Sequence, residues 1–180
     1  MPWVGGVTRV WLMTAKTLLD MMKKDVFSMV CRAGETLQAM LKLPNAQADF
    51  IFLGGMEVLD ALLDSQEVQT RKIPGMLLVG VLLNPRNKKD FKNSRLFEKC
   101  LHILESDPDM DVRRTLCEAL RTFAGNNASV NIEYKTILHA RGFLKSLRAL
   151  LQDQRTDKLG FKTRTAASKS ISTMCSIVAV

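Results

Sequence analysis

Aromatic side chains make up only 6% of this 180-residue chain, and histidine occurs just twice. So few rings leave little for stacking nucleic-acid bases, the usual means of holding a single strand. Two histidines, His102 and His139, with no Cys-x-x-Cys pair, leave no ligand set for zinc. Long apolar runs are also missing. The longest, residues 76–83, falls well short of the roughly 18 residues a membrane span needs. The first residues lack the continuous apolar stretch and small-residue cleavage site of a secretory signal. They do hold Arg9, Lys16 and several threonines with no acid before Asp20, a faint mitochondrial-presequence character. The expected compartment is intracellular, the cytoplasm first, with the mitochondrion as the alternative that this start raises. The four cysteines, Cys31, Cys100, Cys117 and Cys175, are expected as reduced core residues, not as a disulfide framework.

What is present is apolar and helix-forming. Apolar residues reach 47% and charged residues 24%, an ordinary balance for a folded globular chain. Leu, Met, Ala and Lys are plentiful, and such side chains lose little rotamer freedom in a helix. Leu96, Cys100, Ile103 and Leu104 recur at i, i+4, i+7 and i+8, and Val112, Leu116, Ala119, Leu120 and Phe123 make a second stripe. Asp107-Pro108-Asp109 between them supplies a turn and acids at a helix start, where the macrodipole favours negative charge. No stretch alternates as a strand would, so the expected class is all-α.

The chain also repeats itself. "VLDALLDSQEVQTRK" from Val58 and "KCLHILESDPDMDVRR" from Lys99 share a leucine stripe, an acidic or polar turn, and a new helix opening with Val and Arg. Leu63 answers to Leu104, 41 residues on, and Leu151 follows 47 residues later; Leu18-Leu19-Asp20 is a weaker first copy. Four units near residues 8–45, 49–87, 91–127 and 137–178 are expected, separated by connectors rich in Pro, Asn and Gly. That period belongs to two- or three-helix solenoids.

"GGMEVLDALLDSQEVQ" and "LFEKCLHILESDPDMDVRRTLCEALRTFAGNN" resemble armadillo repeats, with the related HEAT repeats sharing the stacking logic. The resemblance implies a short right-handed α-solenoid of about four repeats, degenerate at both ends, and a protein that binds other proteins. Importin-like members of the family carry an Asn ladder and Trp residues on their third helices. Here Val81, Thr122 and Thr173 take the Asn positions, and Trp3 and Trp11 both lie near the start, which speaks against importin-type peptide binding. Gly54-Gly55 lacks the Lys-Ser/Thr of a phosphate loop and is read as a close-packed turn between short helices. Pro74-Gly75 falls inside a third helix, so a kink or a late helix start is expected at Ile73 to Gly75.

No catalytic set emerges. Cys100 and His102, two residues apart on one helix, face different directions. Asp107, Asp109 and Asp111 lack the Gly and Glu of a calcium loop. No cofactor, metal or small-molecule substrate is therefore expected, and no enzyme. Charge says more. Of the net +8, residues 136–180 carry eight basic against two acidic side chains, a net +6. Arg141, Lys145 and Arg148 are spaced as one helix stripe opposite Phe143, Leu144, Leu147 and Leu151, and Lys158, Lys162, Arg164 and Lys169 follow. These seven are the candidate partner-binding residues, suited to an acidic protein surface or to RNA. The apolar ends "MPWVGGVTRVWLM" and "ISTMCSIVAV" are expected to be buried against neighbours. Together they point to a non-catalytic scaffold within a larger protein assembly, with an RNA-contacting subunit of a ribonucleoprotein as the alternative.

Overall fold

The computed structural model describes residues 4–24, 26–43, 46–125 and 132–175, with side chains described from residue 10 onward. Every regular element in it is a helix. In chain order these are α1 (Val4–Lys23), α2 (Phe27–Met40), α3 (Ala46–Phe52), α4 (Gly55–Leu62), α5 (Val68–Val81), α6 (Pro85–Lys92), α7 (Arg95–Ser106), α8 (Met110–Ala124), α9 (Ile132–Ala140), α10 (Phe143–Leu151) and α11 (Lys158–Cys175). None of the described helices is long and apolar enough to cross a membrane.

The helices stack in layers. A packed pair, α1–α2, is followed by three trios, each closing on its longest helix: α3–α5, α6–α8 and α9–α11. Corresponding helices of successive layers lie side by side. One row is α1, α4, α7 and α10, and the other is α2, α5, α8 and α11. The bonds between layers carry the period of the sequence. Asn87 donates to the Gln47 carbonyl, Lys92 to Glu133, Lys99 to the Asp60 carbonyl, Arg141 to Glu98 and Lys145 to Glu105, all across separations of 39 to 43 residues.

Local chemistry sets the boundaries. Asn84 accepts from the Arg86 amide at 3.0 Å ahead of Pro85, and Asp109 accepts from the Asp111 and Val112 amides at 2.9 Å each, capping α6 and α8. Gly54 takes a left-handed φ of 79°, and a side chain on Gly55 would strike the Phe50 ring, so the glycine pair is the tight turn expected of it. Leu96, Cys100 and Leu104 of α7 and Val112, Leu116, Ala119, Leu120 and Phe123 of α8 are buried in one continuous core. Phe91, Phe97, Phe123 and Tyr134 add a ring cluster with centroids 4.5 to 5.5 Å apart, joining the third layer to the fourth.

Three expectations need correcting. First, of the kink or late start expected at Ile73 to Gly75, the late start does not occur: α5 runs from Val68 to Val81 with Pro74 inside it. Burial of Ile73, Pro74, Leu77 and Leu78 between α2 and α8 outweighs the single backbone bond that proline forfeits. Second, Arg141 lies in the turn after α9, not on α10, and Leu150 is the buried residue where Leu151 was expected. Third, only Cys100 and Cys117 are core; Cys31 is half-buried and Cys175 exposed, and all four are free thiols. Val81 and Thr122, which take two of the Asn positions, are both buried.

Candidate functional site: a basic groove between α8 and α11

The seven candidate cations do not share one surface. Arg141 and Lys145 are exposed but paired within the fold, Arg141 Nη2 2.9 Å from Glu98 and Lys145 Nζ 2.7 Å from Glu105. Each thus clamps the last layer to α7. Lys145 is held above the usual lysine range, and Glu105 below the usual carboxylate range, by the hydrogen bond they share. Arg148 is exposed on α10 and Lys158 at the start of α11.

Arg164 is also structural. Its Nη1 donates to the carbonyls of Asp153 at 2.6 Å and Arg155 at 2.8 Å, closing the loop that leads into α11. The same device recurs in the two preceding layers. Arg71 donates to the carbonyls of Ser65 and Gln66, and Arg113 to that of Leu104. An arginine near the start of the third helix thus satisfies carbonyls of the link before it or, for Arg113, of the last turn of the second helix.

Lys162 and Lys169 stand apart. With Arg114, Glu118 and Arg121 of α8 and with Phe161, Thr165 and Ala166 of α11, they line a hollow of about 410 Å³ between the two helices. Arg114, Glu118 and Arg121 fall at i, i+4 and i+7, and Lys162, Thr165, Ala166 and Lys169 at i, i+3, i+4 and i+7, so each helix turns one stripe to the groove. Arg114 to Arg121 and Lys162 to Lys169 each span two helical turns, about 10.5 Å. Phe161 is 65% exposed at one end. Among the described residues, four cations face one carboxylate there.

The groove floor is anchored from below. Buried Asp111 draws in Lys72 at 3.8 Å, Arg114 at 3.6 Å and Arg155 at 3.5 Å. Arg155 also pairs with Asp153 at 2.8 Å and donates to Thr163 Oγ1 at 3.0 Å, tying α5, α8 and α11 together. Arg155 hydrogen-bonded to it holds the Asp153 carboxyl below the usual range. Arg114 therefore has two partners, with Nε toward Asp111 and Nη1 2.9 Å from Glu118 Oε1.

Sequence reading missed Arg114 and Arg121. Their i, i+7 spacing around Glu118 is visible in "RRTLCEALR", but residues 91–135 sum to zero charge, and that average concealed a basic face. The suggested Cys100–His102 pair is not brought together: Cys100 is buried, with its thiol pKa raised by desolvation, and His102 is exposed beside Ser106. Among the described residues no three His, Cys, Asp or Glu side chains converge.

No protein-family model matches the sequence, and no curated protein matches it. Solved structures do match. An engineered protein superposes with a TM-score of 0.72 at 19% identity, covering 90% of this chain and 62% of that one. A designed armadillo repeat protein in complex with the peptide (KR)4 gives 0.73 at 15% identity, covering 88% and 63%. Computationally designed armadillo repeat proteins for modular peptide recognition give 0.69 at 16%, covering 88% and 63%. At these identities the likeness is one of fold: the molecule is an armadillo-like α-solenoid. The chain spans a little over three fifths of the length of those proteins.

Proposed function

We propose that this chain is a non-catalytic binding scaffold, a subunit of a larger protein assembly, whose last layer docks an acidic segment of a partner in the α8–α11 groove. The observation that carries this reading is the groove's charge: Arg114, Arg121, Lys162 and Lys169 against Glu118 alone. A half-desolvated cleft lined by one sign of charge concentrates the opposite sign. The designed neighbour is a complex with a basic peptide; a groove of this sign repels such a peptide and suits its charge-reversed counterpart. Exposed Val10 and Met13 on α1 belong to the same proposal as an apolar contact at the first end. Of the expected apolar end, residues 171–180, residues 176–180 lie outside the described residues, and α11 exposes Lys158, Lys162, Ser168, Lys169 and Ser172 together with apolar Leu159 and Phe161.

Fluorescence anisotropy tests the reading. Labelled (DE)4 peptide is expected to bind and labelled (KR)4 not to. The double variant Lys162→Glu/Lys169→Glu is expected to lose (DE)4 while keeping its helical circular dichroism. Equal binding of both peptides, or undiminished binding by the double variant, would rule the groove out. The alternative, RNA, draws on Phe161 exposed beside the cations. It predicts oligouridylate binding that weakens steeply with salt and is lost in Phe161→Ala.

A further inference from the structure

Glu118 is the one acid among the described residues lining the groove, and its place is central. It lies one turn from Arg114 and one from Arg121 on α8, with Lys162 and Lys169 across the cleft on α11. Its side chain is 39% exposed, so water and a ligand both reach it. Its Oε1 holds Arg114 Nη1 at 2.9 Å, the hydrogen bond an incoming carboxylate would seek. The other side of the same guanidinium lies against buried Asp111, with Arg114 Nε 3.6 Å away in an ion pair without a hydrogen bond, and Lys72 and Arg155 flank the same carboxylate.

We propose that Glu118 is a resident counter-ion, a built-in competitor that the carboxylate of an acidic peptide must displace from Arg114. The inference rests on the groove reading above and adds the residue that sets its threshold. With Asp111 still beside the guanidinium, displacement of Glu118 costs one half-exposed ion pair. Discrimination follows too. A weakly acidic segment gains no more from Arg114 than Glu118 already does, whereas a segment with several acids also recruits Arg121, Lys162 and Lys169.

The experiment measures anisotropy of labelled (DE)4 with the wild-type chain, Glu118→Gln and Glu118→Asp at several salt concentrations. Glu118→Gln removes the charge and keeps the shape; it is expected to bind about three- to fivefold tighter at low salt, the scale of a half-exposed ion pair. The gain is expected to shrink as salt rises. Glu118→Asp keeps the charge and is expected to stay near wild type. Glu118→Gln binding no tighter than wild type overturns the competitor role while leaving the groove reading standing. A gain independent of salt overturns it as well, because a merely loosened groove has no reason to respond to ionic strength in this way. Absence of (DE)4 binding by all three proteins overturns the groove reading and this inference with it.

Discussion

Lys88 on α6 is 7% exposed and donates to the carbonyls of Thr122 at 2.7 Å and Phe123 at 3.1 Å. It thereby satisfies the Phe123 carbonyl, adds a second donor to the Thr122 carbonyl, which also accepts from the Gly125 amide, and places a positive charge at the negative end of that helix. Replacing it by methionine is expected to destabilise the fold by about 2 kcal/mol at neutral pH, the scale of charged hydrogen bonds lost to buried carbonyls. Burial also pulls the ammonium pKa below the ordinary lysine value. Between that lowered value and the ordinary one, the unfolded chain still holds a proton that the native chain has released. Stability from this group therefore rises with pH across that window. Urea unfolding at a series of alkaline pH values checks this, because the rise is expected to be absent in Lys88→Met. The thiols differ from one another in the same way. Cys117 lies 3.2 Å from Ser170 Oγ, and burial pushes its pKa up to about 12. In the native protein at pH 8, Cys175 is expected to be alkylated promptly, while Cys100 and Cys117 react only after unfolding. Peptide mass spectrometry after timed iodoacetamide treatment reads the order.

At the scale of the element, α5 shows what a pattern in the sequence conveys and what it omits. The i, i+4 stripes of α7 and α8 and the acid-capped turn between them were legible, because periodic burial and capping are local properties. The course of α5 through Pro74-Gly75 was not, since its reason lies in another helix. A methyl group on Gly75 would sit 2.6 Å from Thr115 Oγ1 and 2.7 Å from the Thr115 backbone, so the glycine sets how closely α5 and α8 approach. Gly75→Ala is therefore expected to destabilise by about 1–2 kcal/mol through overpacking, although alanine is the better helix former. Chemical denaturation measures it, and a stabilised variant would contradict the close approach. The groove was half legible for a related reason. Lys162 and Lys169 stood out in a basic segment, whereas Arg114 and Arg121 became part of the site only when α11 stacked on α8. Arg141, Lys145 and Arg164 looked equivalent to Lys162 in sequence, and only the tertiary fold supplied their internal partners: Glu98, Glu105 and two loop carbonyls.

At the scale of the whole molecule, the main helix contacts among the described residues run within a layer or between successive layers. Ending the chain after Gly125 removes α9 to α11 and uncovers Phe123, which stacks on Tyr134, and Cys117, which faces Ser170. Such a truncated chain is expected to self-associate in sedimentation velocity and to label at Cys117, because a solenoid without its terminal layer presents an apolar face to water. The arrangement of rings has a further consequence. Phe91, Phe97 and Phe123 all belong to the α6–α8 layer, which is covered on one side by α5 and on the other by α9 and α11. Backbone amides of α8 should therefore trade their hydrogens for deuterium last and those of α1 first, the protection fading outward from this layer like heat from a hearth.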